Sequence, residues 1–488
     1  MSRINKAQLL LALLLTIFIA VPALAEDDES RFELKFGRDV PFKGGRVNID
    51  HSFGDLDIRT YNGDAVQVRA TIRSSDEDFG KQIHITAVPD ATGVSIRTLV
   101  PSIRVSGGRM HLSYSIDMTV TVPANASVSA KNRFGNTDAR GIASSSIDNK
   151  QGAISLQSGR GTQTLSNSFG AIEVTDNRGD VTITNNNGSV TVRKIEGALN
   201  VTNRFGSIQV SNVRNAATVS NGNGEIDIVD VGGTLKVTNA FGGIKASTIG
   251  ASADITTTNA RVELVNVNGS ATVKNSFGSV TASGIKGNLQ VDGSNSKVDA
   301  DGIAGWARVD TGFAGVTLKN IGAATTVTST NGNIKVSDIG GPLDANSRFG
   351  SVRADRIKGS ATVESTNGSV TLNDIAGAAK VRSSFGSVFL DNVGANVDVT
   401  NANGAISVRG LRGPCQSITL KTNFSPIKLS LPEGNYTLTA RTSFGHINTE
   451  FPITTTNVSE GSLIGTIGKG GCKVDLSNSN GNIGIERE

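Results

Sequence analysis

From Gly188 to Phe205 the apolar positions form two short alternating runs. Val190 and Val192 alternate, Ile195 follows, Gly197 interrupts, and Leu199, Val201, Asn203 and Phe205 alternate again. The next eighteen residues repeat the pattern with Ile208, Val210 and Val213, then Ala217, Val219, Asn221 and Asn223. Period-2 runs put alternate side chains on one face of a strand, so each unit reads as two short strands joined at glycine corners. Alternation carries the whole set Leu199, Val201, Asn203 and Phe205 toward one interior. Asn203, Asn239 and Asn275 share one phase and are expected to stack inward near a corner, amide bonding to amide along the column.

The phase persists along most of the chain. Phe134, Phe169, Phe205, Phe241, Phe277, Phe313, Phe349 and Phe385 recur almost always 36 residues apart, and nearly all precede Gly. Asn187, Asn223, Asn331, Asn367 and Asn403 precede Gly halfway between them, so the unit is 18 residues with Phe and Asn alternating. The phase holds even where Ala260, Ser296 and Ala314 replace the glycine. A repeat of this length is the mark of a solenoid. One unit buries about five aliphatic side chains, at ~1.5–3 kcal/mol each. Ordering its backbone costs ~1–2 kcal/mol per residue. A lone unit therefore does not fold, and stacking supplies the missing main-chain bonds and closed core. Asn-Gly is also a hairpin signal, but hairpins do not require one side chain at one phase through so many units. The fold expected is all-β, a parallel β-solenoid (β-helix) of about 18-residue rungs.

Four segments follow. Residues 1–25 read as a signal peptide: Arg3 and Lys6, an apolar stretch from Leu9 to Ala20, then Ala23-Leu24-Ala25. A retained anchor is the alternative reading, although the apolar stretch is short for a membrane span. No Cys follows the cleavage point to carry a lipid. Residues 26–130 contain strand-like stretches out of phase with the repeat and read as an N-terminal β-rich cap. Residues 131–410 are the solenoid. Residues 411–488, with looser spacing and Pro414, Pro426, Pro432 and Pro452, read as a C-terminal β cap. Caps are needed because open strand edges invite end-to-end association.

Removing Arg3 and Lys6 from the 47 basic residues leaves 45 against 43 acidic ones, scattered without a run. This gives nucleic-acid binding no support. Cys415 and Cys472 are the two cysteines. A disulfide closing the C-terminal end and a pair of buried free thiols are both open. With regular stacking they would lie about three layers, ~14 Å, apart, so a bridge requires the terminal segment to fold back.

Candidate chemistry is sparse. His51, His84, His111 and His446 have no ligand spacing. Asp338, Asp355, Asp374 and Asp391 fall at nearly one phase in successive rungs, a candidate column for a divalent cation, although Asp is also a common turn residue. No catalytic residue or cofactor site is indicated. Three Tyr and one Trp, Trp306, leave few platforms for sugar stacking, which weighs against a β-helical polysaccharide-processing enzyme.

The repeated Asn-Gly-x-Ile/Val-x-Val with a following x-Ile-x-Gly (as in Asn187 to Gly197), the stretch Met118-Thr119-Val120-Thr121-Val122-Pro123, and the ending from Gly465 through Asn480-Gly481-Asn482-Ile483 carry a family likeness. The chain resembles the bacterial putative-adhesin family of β-strand-repeat solenoid proteins, the YvlB- and LiaG-like group. It departs from that pattern in placing Phe for Asn in alternate rungs. The resemblance implies an exported, envelope-associated or cell-surface protein of adhesive type and transfers no catalytic residue. The expectation is a non-enzymatic exported scaffold or binding protein, periplasmic, cell-surface or extracellular, without a membrane span once the leader is cleaved. Its partner is expected to be an envelope protein or a surface polymer. The alternatives are a polysaccharide-processing enzyme or a self-assembling structural filament.

Overall fold

A computed structural model describes residues 32–102, 112–413 and 415–488. The expected leader and His111 lie outside the described residues. The chain forms a parallel β-solenoid of about 17 turns, with one short helix, Glu77–Lys81. Each rung contributes one strand to each of two stacks. Leu199–Phe205 lies between Val181–Asn187 and Ala217–Asn223, while Ile208–Val213 lies between Val190–Ile195 and Ile226–Val231. The register places Asn187 beside Phe205, Phe205 beside Asn223, and Asn223 beside Phe241. Like residues eighteen apart therefore sit one above another.

The core between the stacks is thin and aliphatic. Val190, Val192, Ile195, Leu199 and Val201 of one unit are each no more than 2% exposed. The three-residue step from Val192 to Ile195 has a backbone cause. Lys194 adopts φ 58°, and the same left-handed turn recurs every eighteen residues at Asp176, Asn212, Asp230, Thr248, Asn266, Asn320, Asp338, Arg356, Asp374 and Asn392. This turn lets two consecutive side chains point outward and returns the third to the core. Left-handed φ is uncommon for Thr, Lys and Arg, so the stack imposes it.

Both ends depart from chain order. Arg46–Phe53 pairs in parallel with Ser127–Phe134, and Leu56–Tyr61 pairs with Thr137–Arg140, so residues 46–61 form a rung beneath the repeat. Antiparallel pairing of Phe32–Pro41 with Ala65–Ser74, and of the latter with Tyr114–Pro123, covers that end. At the other end Cys472–Asn478 lies between Ser417–Thr422 and Tyr436–Thr442, parallel to both. The later segment thus inserts between two earlier ones. That return brings Cys472 to Cys415, and the two form a disulfide with Cα atoms 5.4 Å apart. Tyr436–Thr442 then pairs antiparallel with Ser462–Ile467, which pairs with Thr454–Ser459 as the outer layer.

Candidate functional site

The corner between the two stacks is built from three columns: a buried polar residue, an exposed Phe or Asn, and a glycine. Asn203 is 3% exposed, and its Nδ2 donates to the carbonyl oxygens of Gly188 (3.2 Å) and Gly206 (3.3 Å). Asn185 and Asn239 bridge the equivalent pairs. The inward placement of the Asn column is as expected, but its bonding is not. The amides of Asn185, Asn203 and Asn239 bridge glycine carbonyls of adjacent rungs, and the Oδ1 atoms of these three have no partner. The amide-to-amide ladder is replaced because the glycine carbonyls turn into the corner and take the amide hydrogens. Gly206, at φ 120°, occupies a conformation L side chains avoid. A Cβ there would also meet the Gly188 carbonyl oxygen at 2.3 Å.

His51 occupies this column in the rung of residues 46–61, in register with Asn132. It is fully buried, with Nε2 3.2 Å from the accepting Gly54 carbonyl oxygen. Burial lowers its pKa from the ordinary 6.5, and the bond to Gly54 opposes that only in part. It is a corner residue, whereas His84 and His446 lie elsewhere on strands or corners and form no cluster with it. Among the described residues no group of three metal-ligating side chains comes together.

Phenylalanine is where the alternation misleads. The strand bends at the corner before the next inward position, so the Phe rings turn out to solvent. Phe205 is 44% exposed, Phe313 66% and Phe444 83%. Ten such rings, from Phe134 to Phe444, form one file. Phe and a polar residue alternate along it: Phe169, Asn187, Phe205, Asn223, Phe241, Asn259, Phe277 and Asn295 are successive neighbours. The threaded C-terminal strand keeps the alternation, since the register of Thr422 and Thr442 with Asn478 sets Asn480 between Phe424 and Phe444. At the opposite end Phe53 stacks on Phe134 at 4.7 Å, Tyr114 meets Phe53 at 4.8 Å, and Phe79 meets Tyr114 at 5.1 Å. The aromatic end is continuous there. The sequence signal was present in the Phe spacing, but period alone assigned it to the core.

The four aspartates separate into two columns. Asp338 and Asp374 stand at left-handed turns with Arg356 between them in the stack; Asp355 and Asp391 stand one residue earlier in their rungs. Each meets an arginine. Arg356 donates twice to Asp338, at 2.6 and 2.7 Å, and holds its carboxyl below the usual range. Arg353 donates to Asp355, Arg409 to Asp391, and Arg412 to Asp374. A shallow cleft of about 850 Å³ runs beside this column, and its charged walls are Lys358 and these same arginine–aspartate pairs.

Comparison with known proteins places the C-terminal third. The Toastrack DUF4097 family model matches residues 323–486. These residues are similar to a Toastrack domain. The adhesin-type β-solenoid resemblance read from the sequence therefore holds, and the Toastrack segment comprises the last regular rungs, the threaded strand and the disulfide. A solved structure of a putative cell adhesion protein from Clostridium sporogenes ATCC 15579 aligns with 43% of this chain and 100% of its own, at 12% identity and a TM-score of 0.22. A score that low adds nothing to the argument. None of the curated proteins compared matches the chain. Among the described residues no helix is long and apolar enough to cross a membrane.

Proposed function

We propose that this protein is a non-enzymatic exported scaffold of the cell envelope whose phenylalanine file holds an extended partner laid along the rod. The exposed file carries this reading. Its ten rings together expose on the order of 1,000 Å² of apolar surface, laid out as single rings with a polar rung between one and the next. The surface is one residue wide and runs for about 85 Å at the strand spacing of a sheet. A globular partner covers little of such a line, and an extended one covers all of it. Many weak contacts in series then give useful avidity.

The aliphatic core closes without the rings, and the intervening rungs carry asparagine at the same corner. The test is capture from envelope extract on the immobilised full chain, compared with a Phe205→Ser, Phe241→Ser, Phe277→Ser, Phe313→Ser variant. Specific material retained by the first and lost from the second is expected. Equal retention by both would remove the file from the function.

A further inference from the structure

We propose that the file is a track for a linear, acidic, β-linked glycan, with one disaccharide per two rungs; this rests on the extended-partner reading above. Three features of the corner point to it. The first is spacing: rings two layers apart are about 9.6 Å from one another, close to the length of a disaccharide in an extended β-linked chain. The rings then meet the apolar faces of alternate sugars, while Asn187, Asn223 and Asn259 present amides to the hydroxyls between them. The file thereby supplies the stacking platforms that three Tyr and one Trp do not.

The second feature is the charge of its flanks. In the columns one residue before and two residues after the file, the basic side chains are Arg133, Lys150, Arg204, Arg261, Lys297 and Arg348, and the acid is Glu225; Lys150 and Lys297 are paired with Asp148 and Asp299, which leaves the four arginines as the excess. Arg204 lies over the Phe205 ring, 5.2 Å from its centroid. Carboxylates on the glycan complement this excess. Two copies of the chain meeting file to file would instead oppose like charges. The third is bulk: most other flanking positions are Ser, Gly, Ala, Thr or Asn, including Ser207, Gly243, Ser279 and Ser351, so a chain can lie flat. A β-strand partner repeats every ~6.8 Å on one face and slips out of phase within a few rings. A polyproline segment has a compatible repeat, but it docks between aromatic walls, and here there is one wall.

The experiment titrates the full chain with hyaluronan and β-linked polymannuronate oligosaccharides, with neutral cello-oligosaccharides for comparison, by calorimetry at low salt. Binding to an acidic glycan is expected, weakened by about tenfold or more in the four-Phe Ser variant. The corresponding four-Phe Tyr variant, which keeps the platforms, is expected to restore it. An Arg204→Ser, Arg261→Ser, Arg348→Ser variant is expected to bind several-fold more weakly, with a smaller salt dependence. No glycan binding alongside Phe-dependent envelope capture would overturn the glycan assignment and leave the scaffold reading standing. Phe-dependent self-association in sedimentation, or binding of a proline-rich peptide in place of glycan, would also overturn it. Glycan binding that survives loss of the rings would refute the geometry proposed here.

Discussion

The two halves of the solenoid share a rung but not a corner. From Asn132 to Asn275 the buried corner residue is mostly asparagine; at Ser329, Ser347, Ser365 and Ser383 it is serine. The asparagine half bonds across rungs through Nδ2, while Ser347 Oγ donates to the Gly350 carbonyl of its own turn at 2.8 Å. Strands change with it. Leu199–Phe205 continues through the corner, whereas Leu343–Ser347 stops at the serine. The main chain compensates: the Gly206 N–H donates forward to Asn223, and the Phe349 N–H donates back to Thr330. Gly350 has left the positive-φ region, yet its Cβ would still lie 2.1 Å from the Gly332 carbonyl oxygen. Close approach of backbones therefore keeps the glycine when backbone conformation does not. The Toastrack match begins at residue 323, just before the serine corners, and leaves out the run of asparagine corners from Asn132 to Asn275, although it takes in Asn401 and Asn478 near its end. Corner chemistry is interchangeable on one 18-residue frame, and the outward Phe column passes unchanged through both halves.

The largest effect should come from breaking the frame itself. Excising residues 206–241, two full rungs, should leave a shorter folded rod, and excising residues 350–385 from the serine half should do the same. Removing only residues 206–214 shifts every later side chain against its neighbours and should abolish cooperative unfolding followed by circular dichroism. A serine half that fails where the asparagine half survives would show that the two do not share one frame.

Next comes the disulfide, which closes a separation of 57 residues. Replacing Cys415 and Cys472 by Ser should cost about 4 kcal/mol. Hydrogen exchange should accelerate in the C-terminal layers and stay unchanged in the asparagine rungs.

A smaller difference separates the corners. Asn203→Ala removes an amide that bonds two carbonyls and leaves a void, costing about 2 kcal/mol; Ser347→Ala removes one bond, costing about 1 kcal/mol. Amide exchange in the flanking rungs measures both, and an equal cost would erase the distinction between intra-turn and cross-rung bonding.

The smallest effect concerns His51, the ionisable member of the asparagine column. Its pKa is lowered on folding from 6.5. Below 6.5 the unfolded chain binds a proton that the folded chain refuses until the lower folded value is reached, so stability falls as pH drops through that window. His51→Asn, copying Asn132, should flatten this slope in urea titrations on either side of pH 6.5.

Much of this architecture was legible in the sequence because register and burial are strictly periodic. The inward Val190, Val192, Leu199 and Val201, the placing of Phe205 and Phe241 in one file two layers apart, and the inward asparagines all follow from counting eighteen. Three features did not. Phe205 shares the parity of Val201, but a corner ends the parity rule and turns the ring out. The step from Val192 to Ile195 was visible, while its left-handed cause at Lys194 was not, since Lys carries no preference for that conformation. Chain order at the ends is invisible to a repeat count, because a strand fits equally well against either neighbour of matching pattern. The candidate site suffered most from the first of these: the Phe spacing was plain, and its direction was not.

The threading of Cys472–Asn478 between Ser417–Thr422 and Tyr436–Thr442 has a temporal consequence. During synthesis, residues 436–442 emerge first and find their eventual seat unbuilt, with the edge of 417–422 still bare. Only the arrival of residue 478 lets either surface be covered. Closure of this end thus waits for the last strand to be made, and a chain interrupted before it keeps a bare strand edge open to association.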